Sequence, residues 1–282
     1  MTWRTLVMTL LLATPVMTSA QGRLVSAGGA LTEIVLALGA ADDLVGVDST
    51  SAWPHGAHRV GNIGYVRSLS AEGIASLKPS QVIASEDAGP PAVLQQLRTL
   101  GIPVTVLPSD HRIEGVLSRI RLIGQLTGQK IRAAQLIARV SHEWARTRAA
   151  VARPRKGAPP RVLFILTHAP NLMLAAGQGT AADAMLGYAG ARNAMPTLQG
   201  YQALTPEAIV AAQPDVIVLS RQGLRIQGGI DALLKNAGLG LTPAGKKRRV
   251  IALDEMSLLG FGPSMPAAVT ELDSALRAAS GS

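Results

Sequence analysis

Short apolar runs alternate with segments of helical spacing along the first half of the chain. Four uninterrupted apolar runs have the composition of buried parallel strands: RLVSA, LVGVD, SQVIAS and PVTVLP. Three segments with apolar residues every three or four positions are predicted to be helices: ALTEIVLALGA, SAEGIASL and PAVLQQLRTLG. Because strands and helices alternate, this half is predicted to form an α/β lobe around a parallel sheet.

The second half has the same character and repeats part of the first. Its predicted strands are RVLFIL, DVIVLS and RRVIAL, and its predicted helices are TAADAMLGYAG, TPEAIVAAQ and GGIDALLKNA. The stretch GYVRSLSAEGIASLKPSQVIAS, which begins at Gly64, matches GYQALTPEAIVAAQPDVIVLS, which begins at Gly200. Both start with Gly-Tyr, continue with Glu, Ile and Pro, and end in a Val-Ile strand. A repeat of this length indicates two copies of a domain.

One long helix is predicted between the halves, because TGQKIRAAQLIARVSHEWARTRAAVA has helical spacing and no Pro or Gly from Lys130 to Ala152. The predicted organisation is an amino-terminal lobe over 21–127, a connecting helix over 128–153 and a carboxy-terminal lobe over 154–282. The fold class is therefore α/β, with two doubly wound parallel-sheet lobes joined by one α-helix. Ligands of such sheets bind outside the carboxyl ends of the strands, so the cleft between the lobes is the expected site.

Residues 1–20 have the pattern of a secretory signal peptide. Arg4 supplies the positive start, LVMTLLLATPVM is too short to span a bilayer, and the small residues TSA precede Gln21. We expect cleavage near Ala20 and export of the mature protein, with a retained anchor as the alternative.

Composition and motifs exclude several classes of function. The chain has no cysteine, which excludes disulfides, iron–sulfur clusters, thiol catalysis and cysteine-ligated zinc. The net charge of +9 suits nucleic acid, an anionic membrane or an acidic ligand. However, no aromatic and basic platform for bases is present, and KKRR reads as a solvated loop, so no nucleic-acid partner is expected. Dinucleotide loop, P-loop and nucleophile elbow are all absent, so the protein is not expected to be an enzyme; an exported enzyme on a doubly wound fold is the alternative.

Tyr65 and Arg67 form the most informative pair in a chain with only three tyrosines. A phenolate is a hard anionic ligand suited to Fe(III), and tyrosine is one of the axial ligands of haem. A guanidinium two residues away favours the ionised phenol. The alternative is that Tyr65 packs on its lobe, as a fold feature shared with Tyr201 at the matching position of the repeat. GYVRS nevertheless carries one residue more than GYQA before the shared Leu, so the first loop differs from its counterpart.

The two-lobe pattern, the connecting helix and TEIVLALG after the first strand resemble the periplasmic solute-binding proteins of metal-chelate ABC importers. These proteins include binders of siderophores, cobalamin and haem. Four segments are similar to the haem-binding branch in particular: GYVRSLSAEGI, EDAGPP, AAGQGTAADAM and SRQGLRIQGG. The resemblance covers essentially all of the mature chain. It implies a class III periplasmic binding protein, a monomer that captures haem b as Fe(III) and delivers it to the permease dimer of an inner-membrane ABC importer. Siderophore or cobalamin binding is the alternative within this class.

The resemblance also implies roles for individual residues. Tyr65 matches the iron ligand of the haem branch, and Arg67 matches an arginine that stands beside it. His168, at the end of the strand RVLFILTH, is a candidate ligand for a second, stacked haem. No ligand role is expected for the other histidines, which are His55, His58, His111 and His142.

Three further residues are candidates for contacts with the porphyrin. Arg221 and Arg225 follow the strand DVIVLS and are candidate partners of the propionates or the phenolate, although surface charge is the alternative. Met173 is a candidate apolar lining residue, with core packing as its alternative.

Glu72 and Glu207 are the matched acids of the repeat. Each lies near a predicted helix start, in LSAE and LTPE, where an acid interacts favourably with the helix dipole. The resemblance implies a second role, in which one glutamate on each lobe docks into an arginine pocket of the permease.

Overall fold

The computed structural model describes residues 22–51, 60–155, 157–170, 172–236 and 238–280. The predicted signal peptide, His55 and His58 lie outside the described residues. The strands are β1 (Leu24–Ala27), β2 (Leu44–Val47), β3 (Gly61–Asn62), β4 (Gln81–Ser85), β5 (Val104–Leu107), β6 (Arg161–Ala169), β7 (Leu172–Ala176), β8 (Arg192–Asn193), β9 (Tyr201–Ala203), β10 (Val216–Ser220) and β11 (Val250–Leu253).

The α-helices alternate with these strands in each half of the chain. They are α1 (Gly29–Ala37), α2 (Ala71–Ser76), α3 (Pro91–Thr99), α4 (Ile113–Leu126), α5 (Lys130–Val151), α6 (Ala181–Tyr188), α7 (Pro206–Ala212), α8 (Arg221–Ile226), α9 (Ile230–Lys235), α10 (Pro243–Lys246), α11 (Glu255–Leu259) and α12 (Met265–Ser280). Within the described ranges, no helix combines the length and the apolar character needed to cross a membrane.

The first sheet has the strand order β3-β2-β1-β4-β5, and every neighbouring pair in it is parallel. The central strand β1 is buried along its whole length, which explains its continuous apolar sequence. Helices α1 to α3 connect the strands, so the predicted α/β class is confirmed. We call this sheet with its helices the first lobe.

The second sheet has the order β11-β10-β6-β7-β9, and β8 pairs with β6. The pairs β11-β10 and β10-β6 are parallel, as the sequence predicts. The strand β7 was not predicted, and it runs antiparallel to both β6 and β9. The sheet is therefore mixed, because β7 pairs antiparallel with both β6 and β9 whereas β6, β10 and β11 run parallel. We call this sheet with its helices the second lobe.

The long helix α5 lies between the two sheets in sequence and spans roughly 33 Å at 1.5 Å per residue. It packs against α4 of the first half and against α12 from the end of the chain. One hydrophobic cluster joins Ile120 of α4, Leu136 of α5, Phe164 of β6 and Leu272 of α12, all of them buried. The two lobes consequently share one continuous core, and the exact bounds of the domains stay a prediction.

Candidate functional site

A cleft of about 540 Å³ lies between the two lobes. The first lobe lines it with residues at or after the ends of β1, β2, β3, β4 and β5, and the second lobe with the end of β6, the start of α8 and the segment after β11. This is the location that open α/β sheets give to their ligands. The structure brings three of the predicted site residues, Tyr65, Arg67 and His168, together in its walls.

The loop that carries Tyr65 is fixed by short-range hydrogen bonds. Gly64 has a φ of 91°, a conformation that favours glycine, and its amide donates to Oδ1 of Asn62 at 2.8 Å. The amide of Ser68 donates to the carbonyl of Tyr65 at 2.8 Å, which closes a turn over residues 65–68. The side chain of Tyr65 is 45% exposed, so its ring lines the cleft and is not packed into the lobe.

The matching tyrosine of the repeat, Tyr201, has a different environment. It is half-buried on β9 and packs against the shared core. Burial raises the pKa of the Tyr201 hydroxyl, partly offset by hydrogen bonds from the main chain of Ala182 and the side chain of Thr180 at the start of α6. Tyr201 is therefore hydrogen-bonded within its own lobe and is not among the described residues that line the cleft, whereas Tyr65 is; the charges of Arg67 and Asp87 nevertheless act on the Tyr201 hydroxyl. The one-residue difference between GYVRS and GYQA was the sequence signal for this asymmetry.

Arg67 forms an ion pair with Asp87, with 3.0 Å between Nη2 and Oδ1. Asp87 follows β4 and lines the same cleft, but sequence analysis did not single it out. Two backbone hydrogen bonds hold the two loops side by side: Gly89 donates to Val66 at 2.9 Å and Leu69 donates to Gly89 at 2.8 Å. The signal in the sequence was the acidic pair ED directly after a buried strand, within the segment EDAGPP.

His168 lies on the opposite wall, in the last residues of β6. Its side chain is exposed, while its neighbour Thr167 is buried and bonded to Gln227 at 2.9 Å. The strand alternation that buries Thr167 therefore turns His168 towards the cleft. A phenol on one lobe and an imidazole on the other consequently face the same space.

His111 also lines the cleft, although sequence analysis expected no role for it. Its ring packs against Phe261 at a centroid distance of 5.1 Å. Burial lowers the pKa of the His111 imidazole, an effect that the negative charge of Asp87 opposes. The neutral imidazole is thus favoured near neutral pH.

The segment 254–264, which we call the floor segment, joins the second lobe to the first at the base of the cleft. Nη2 of the buried Arg119 donates to the carbonyl of Phe261 at 2.9 Å, and the amide of Ser264 donates to Oε1 of Glu33 at 2.7 Å. The side chain of Met256 packs against Gly29, where a Cβ atom would lie 2.6 Å from its Cε. These contacts restrict the movement of one lobe against the other.

The charged lining residues include more acids than bases: Arg67, Asp87, Asp110, Arg119, Asp254 and Glu255. Each guanidinium is already paired, Arg67 with Asp87 at 3.0 Å and Arg119 with Asp110 at 3.1 Å. Within the described residues, no cluster of His, Asp and Glu is suited to a bare metal ion. Both guanidiniums of the lining are therefore already engaged by carboxylates, which weakens their attraction for a simple anion.

Met173, Arg221 and Arg225 are not among the described residues that line the cleft, and their contacts with a porphyrin stay predictions. Met173 lies on β7, which pairs antiparallel with β6, and its side chain packs against the core of the second sheet. This strand was not predicted from the sequence. Arg221 begins α8 and pairs with Glu271 on the surface at 3.4 Å, and Arg225 is exposed in the last turn. A helix turns successive side chains by about 100°, and the residue of α8 that lines the cleft is Gln222.

Glu72 and Glu207 occupy equivalent positions in the first turns of α2 and α7. Ser70 caps α2 by accepting from Gly73 at 3.2 Å, and Thr205 caps α7 by accepting from Ala208 at 3.2 Å. Both carboxylates are exposed and form no ion pair with a described residue, and Glu72 borders a shallow groove between α2 and α3.

Comparison with known proteins supplies the context of this site. The family model described as periplasmic binding protein matches residues 24–256. The structure is similar to that of the periplasmic haem-binding protein BhuT in complex with two haems, with 45% identity and a TM-score of 0.88 over 92% of this chain and 98% of that one. It is also similar to the periplasmic haem-binding protein RhuT from Roseiflexus sp. RS-1 in apo form, with 41% identity and a TM-score of 0.88 over 92% and 99% of the chains.

Curated relatives are more distant. An uncharacterised ABC transporter substrate-binding lipoprotein, YvrC of Bacillus subtilis, is 28% identical over 243 residues, which cover 86% of this chain and 75% of that protein. The vitamin B12-binding protein of Yersinia pestis is 29% identical over 113 residues, which are 40% of each chain.

Proposed function

The chain belongs to the periplasmic binding protein family, and from that premise we propose that it captures haem in the periplasm and delivers it to an ABC importer. The solved structures at 45% and 41% identity are those of periplasmic haem-binding proteins, and they match nearly the whole chain. A binding protein of this kind releases its ligand unchanged, so we propose no enzymatic step.

The observation that carries this function is the exposed phenol of Tyr65 in the cleft between the lobes. We assign Tyr65 as the ligand of ferric haem iron, because a phenolate is a hard anionic donor suited to Fe(III). Arg67 lies in the same turn and lines the same cleft, and it is the proposed partner of Tyr65. The partly exposed apolar residues of the wall, Met256 and Leu259, are the proposed contact surface for the porphyrin.

His168 is the proposed ligand of a second haem, stacked on the first. It lies on the lobe opposite Tyr65 and is exposed to the same cleft. The similar BhuT structure is a complex with two haems, which supports the same stoichiometry here.

Titration of the purified mature protein with haemin, followed optically, tests the iron ligand. We expect a ferric spectrum with a phenolate-to-iron charge-transfer band, and loss of that band with much weaker binding in Tyr65→Phe. Tyr201→Phe is the matched control. Tyr201 is the corresponding tyrosine of the repeat and is hydrogen-bonded within the second lobe, so this variant should bind haemin like the wild type. Equal binding by the wild type and Tyr65→Phe would reject the ligand assignment.

The stoichiometry of the same titration tests the second haem. Saturation near two equivalents in the wild type and near one in His168→Ala is expected. His142→Ala, which changes an exposed histidine on α5, should leave the end point unchanged. An end point of one equivalent in the wild type would remove the role of His168.

Cobalamin is the competing cargo, because the chain shares 113 residues of similarity with a vitamin B12-binding protein. A parallel titration with cyanocobalamin, measured by tryptophan fluorescence, separates the two ligands. Binding of cyanocobalamin in place of haemin would overturn the proposed cargo and leave the family unchanged.

Glu72 and Glu207 are the proposed docking residues for the two permease subunits. They are equivalent, exposed and unpaired among the described residues, as a pseudo-twofold contact with a dimer requires. Glu72→Arg combined with Glu207→Arg should preserve haem binding and stop haem transport into vesicles that contain the importer. The control is Asp42→Arg combined with Glu114→Arg, an equal charge change on exposed residues elsewhere. Normal transport by the docking variant would refute this role.

A further inference from the structure

The segment KKRR, residues 246–249, lies at the end of α10 and in the turn before β11, and it is not among the described residues that line the cleft. Together with Arg161 at the start of β6 and Arg192 at the start of β8 it forms one surface, which we call the basic edge. We propose that the basic edge binds the anionic headgroups of a phospholipid membrane.

The pairing of the strands brings the parts of the basic edge together. Arg161 and Arg192 are partners in the register of β6 with β8. The amide of Ile217, at the start of β10, donates to the carbonyl of Arg249 at 2.9 Å. The strand order is β11-β10-β6, with β8 beside β6. Neighbouring strands lie about 4.8 Å apart, so the four strand starts extend over roughly 15 Å. The basic residues therefore lie along one row.

The acids beside the basic edge compensate only part of its charge. Oδ1 of Asp231 pairs with Nη2 of Arg248 at 2.6 Å. Oδ2 of Asp215 accepts a backbone hydrogen bond at the start of β6, at 2.8 Å. Lys246 and Lys247 are exposed and form no ion pair with a described residue. The surface consequently retains positive charge that is available to a partner.

The equivalent edge of the first lobe is not basic. β5 pairs with β4 as β11 pairs with β10, but the segment before β5 is TLGIP, which contains no charged residue. Arg23 and Lys78 at this edge are accompanied by Asp43, whose Oδ1 accepts from the amide of Gly22 at 3.1 Å. The repeated fold therefore does not require basic residues at this position, and the charge of the second lobe is a separate feature.

The chemistry of the basic edge suits a membrane surface. A lysine ammonium is a compact, hydrated charge on a flexible stem, and it lacks the planar fork with which arginine recognises a single phosphate. Several such charges act together on an anionic bilayer, where each basic residue raises the partition coefficient about fivefold. KKRR contains no aromatic residue on which a base could stack, so a nucleic acid is not favoured.

The basic edge faces away from the cleft. It is built from the amino ends of the strands of the second lobe, whereas the cleft is lined at their carboxyl ends. Strand β6 carries Arg161 at one end and His168 near the other, roughly 23 Å away at about 3.3 Å per residue. A membrane bound at the basic edge would therefore leave the cleft open to solvent. The protein could collect its ligand while it is held at the bilayer.

Cosedimentation with vesicles tests this surface. We expect the purified mature protein to bind vesicles of phosphatidylglycerol and phosphatidylcholine in equal parts, and not vesicles of phosphatidylcholine alone. Binding should be lost in about 1 M salt, where the screening length falls to about 3 Å. Lys246→Gln combined with Lys247→Gln should weaken the partitioning about tenfold to thirtyfold. The melting temperature should stay that of the wild type, because both side chains are exposed.

Arg112→Gln combined with Arg225→Gln is the matched control. Both residues are exposed and follow the carboxyl ends of strands, so the variant makes the same charge change on the side of the cleft. Its partitioning should fall by less than about twofold. Equal losses in the two variants, equal binding to neutral vesicles, or no binding to anionic vesicles would each overturn the inference. Haemin titration is independent of all these outcomes, so a failure here is distinguishable from a failure of the proposed function.

Discussion

Substitution of Gly262 gives the most direct test of the contacts that join the two lobes. It lies in the floor segment, and a Cβ atom added there would overlap Oε2 of Glu33. Its φ is not in the region reserved for glycine, so alanine meets no backbone penalty. The obstacle to Gly262→Ala is therefore the carboxylate that accepts from Ser264 at 2.7 Å.

The magnitude follows from that bond. To admit the methyl group, the Glu33 side chain must move away and lose its bond to the amide of Ser264. A hydrogen bond to a charged group contributes about 1.5 to 3 kcal/mol, so we expect Gly262→Ala to lower the free energy of unfolding by about 2 kcal/mol. For a chain of this size that corresponds to a fall of roughly 4 to 8 °C in the melting temperature.

A double-mutant cycle measured by urea unfolding isolates the contact. Gly262→Ala should be costly in the wild type but should cost less than about 0.5 kcal/mol in the Glu33→Ala background, where the obstacle is gone. Gly187→Ala is the control, because Gly187 is exposed on α6 with open space at its Cβ, and helix propensity predicts a gain of up to about 1 kcal/mol. An equal loss for Gly262→Ala in both backgrounds would refute the proposed overlap.

Two further predictions concern the same junction. Burial raises the pKa of Glu33, so this group's contribution to stability is fully present below the ordinary glutamate pKa and is lost as pH rises through the raised value. Glu33→Gln should therefore be more stable than the wild type at pH 7.5 but not at pH 4. Urea unfolding at both pH values measures this, and the same difference in unfolding free energy between variant and wild type at the two values would contradict the prediction. Arg119→Met removes a buried cation and its bond to Phe261, so we expect a loss of about 3 kcal/mol in the same assay. Arg112→Met, which changes an exposed arginine, should cost less than about 0.5 kcal/mol, and equal losses would contradict the importance of burial.

The sequence predicted the elements whose pattern is local. Strands such as β1 and β10 are continuous apolar runs, and helices such as α2 and α7 carry their capping residues beside them. The sequence did not predict β7, because that strand is specified by its pairing with β6 and β9 and not by its own short apolar run.

The residues of the candidate site also fall into two groups, those with a local signal in the sequence and those without one. Tyr65 and Arg67 stood out because the repeat supplied an unaltered copy for comparison. Asp87 and His111 were missed because neither has a partner in its own segment. Their contacts come from loops that follow different strands and meet only in the folded protein.

The continuous core across the lobes has a consequence for folding. If each copy of the duplicated domain had kept a separate interior, the halves would unfold in two steps and each would be soluble when expressed alone. Here α4, α5, β6 and α12 contribute to one cluster, so either half in isolation would expose a broad apolar face. We expect a single calorimetric transition for the whole chain, and aggregation of fragments cut within α5.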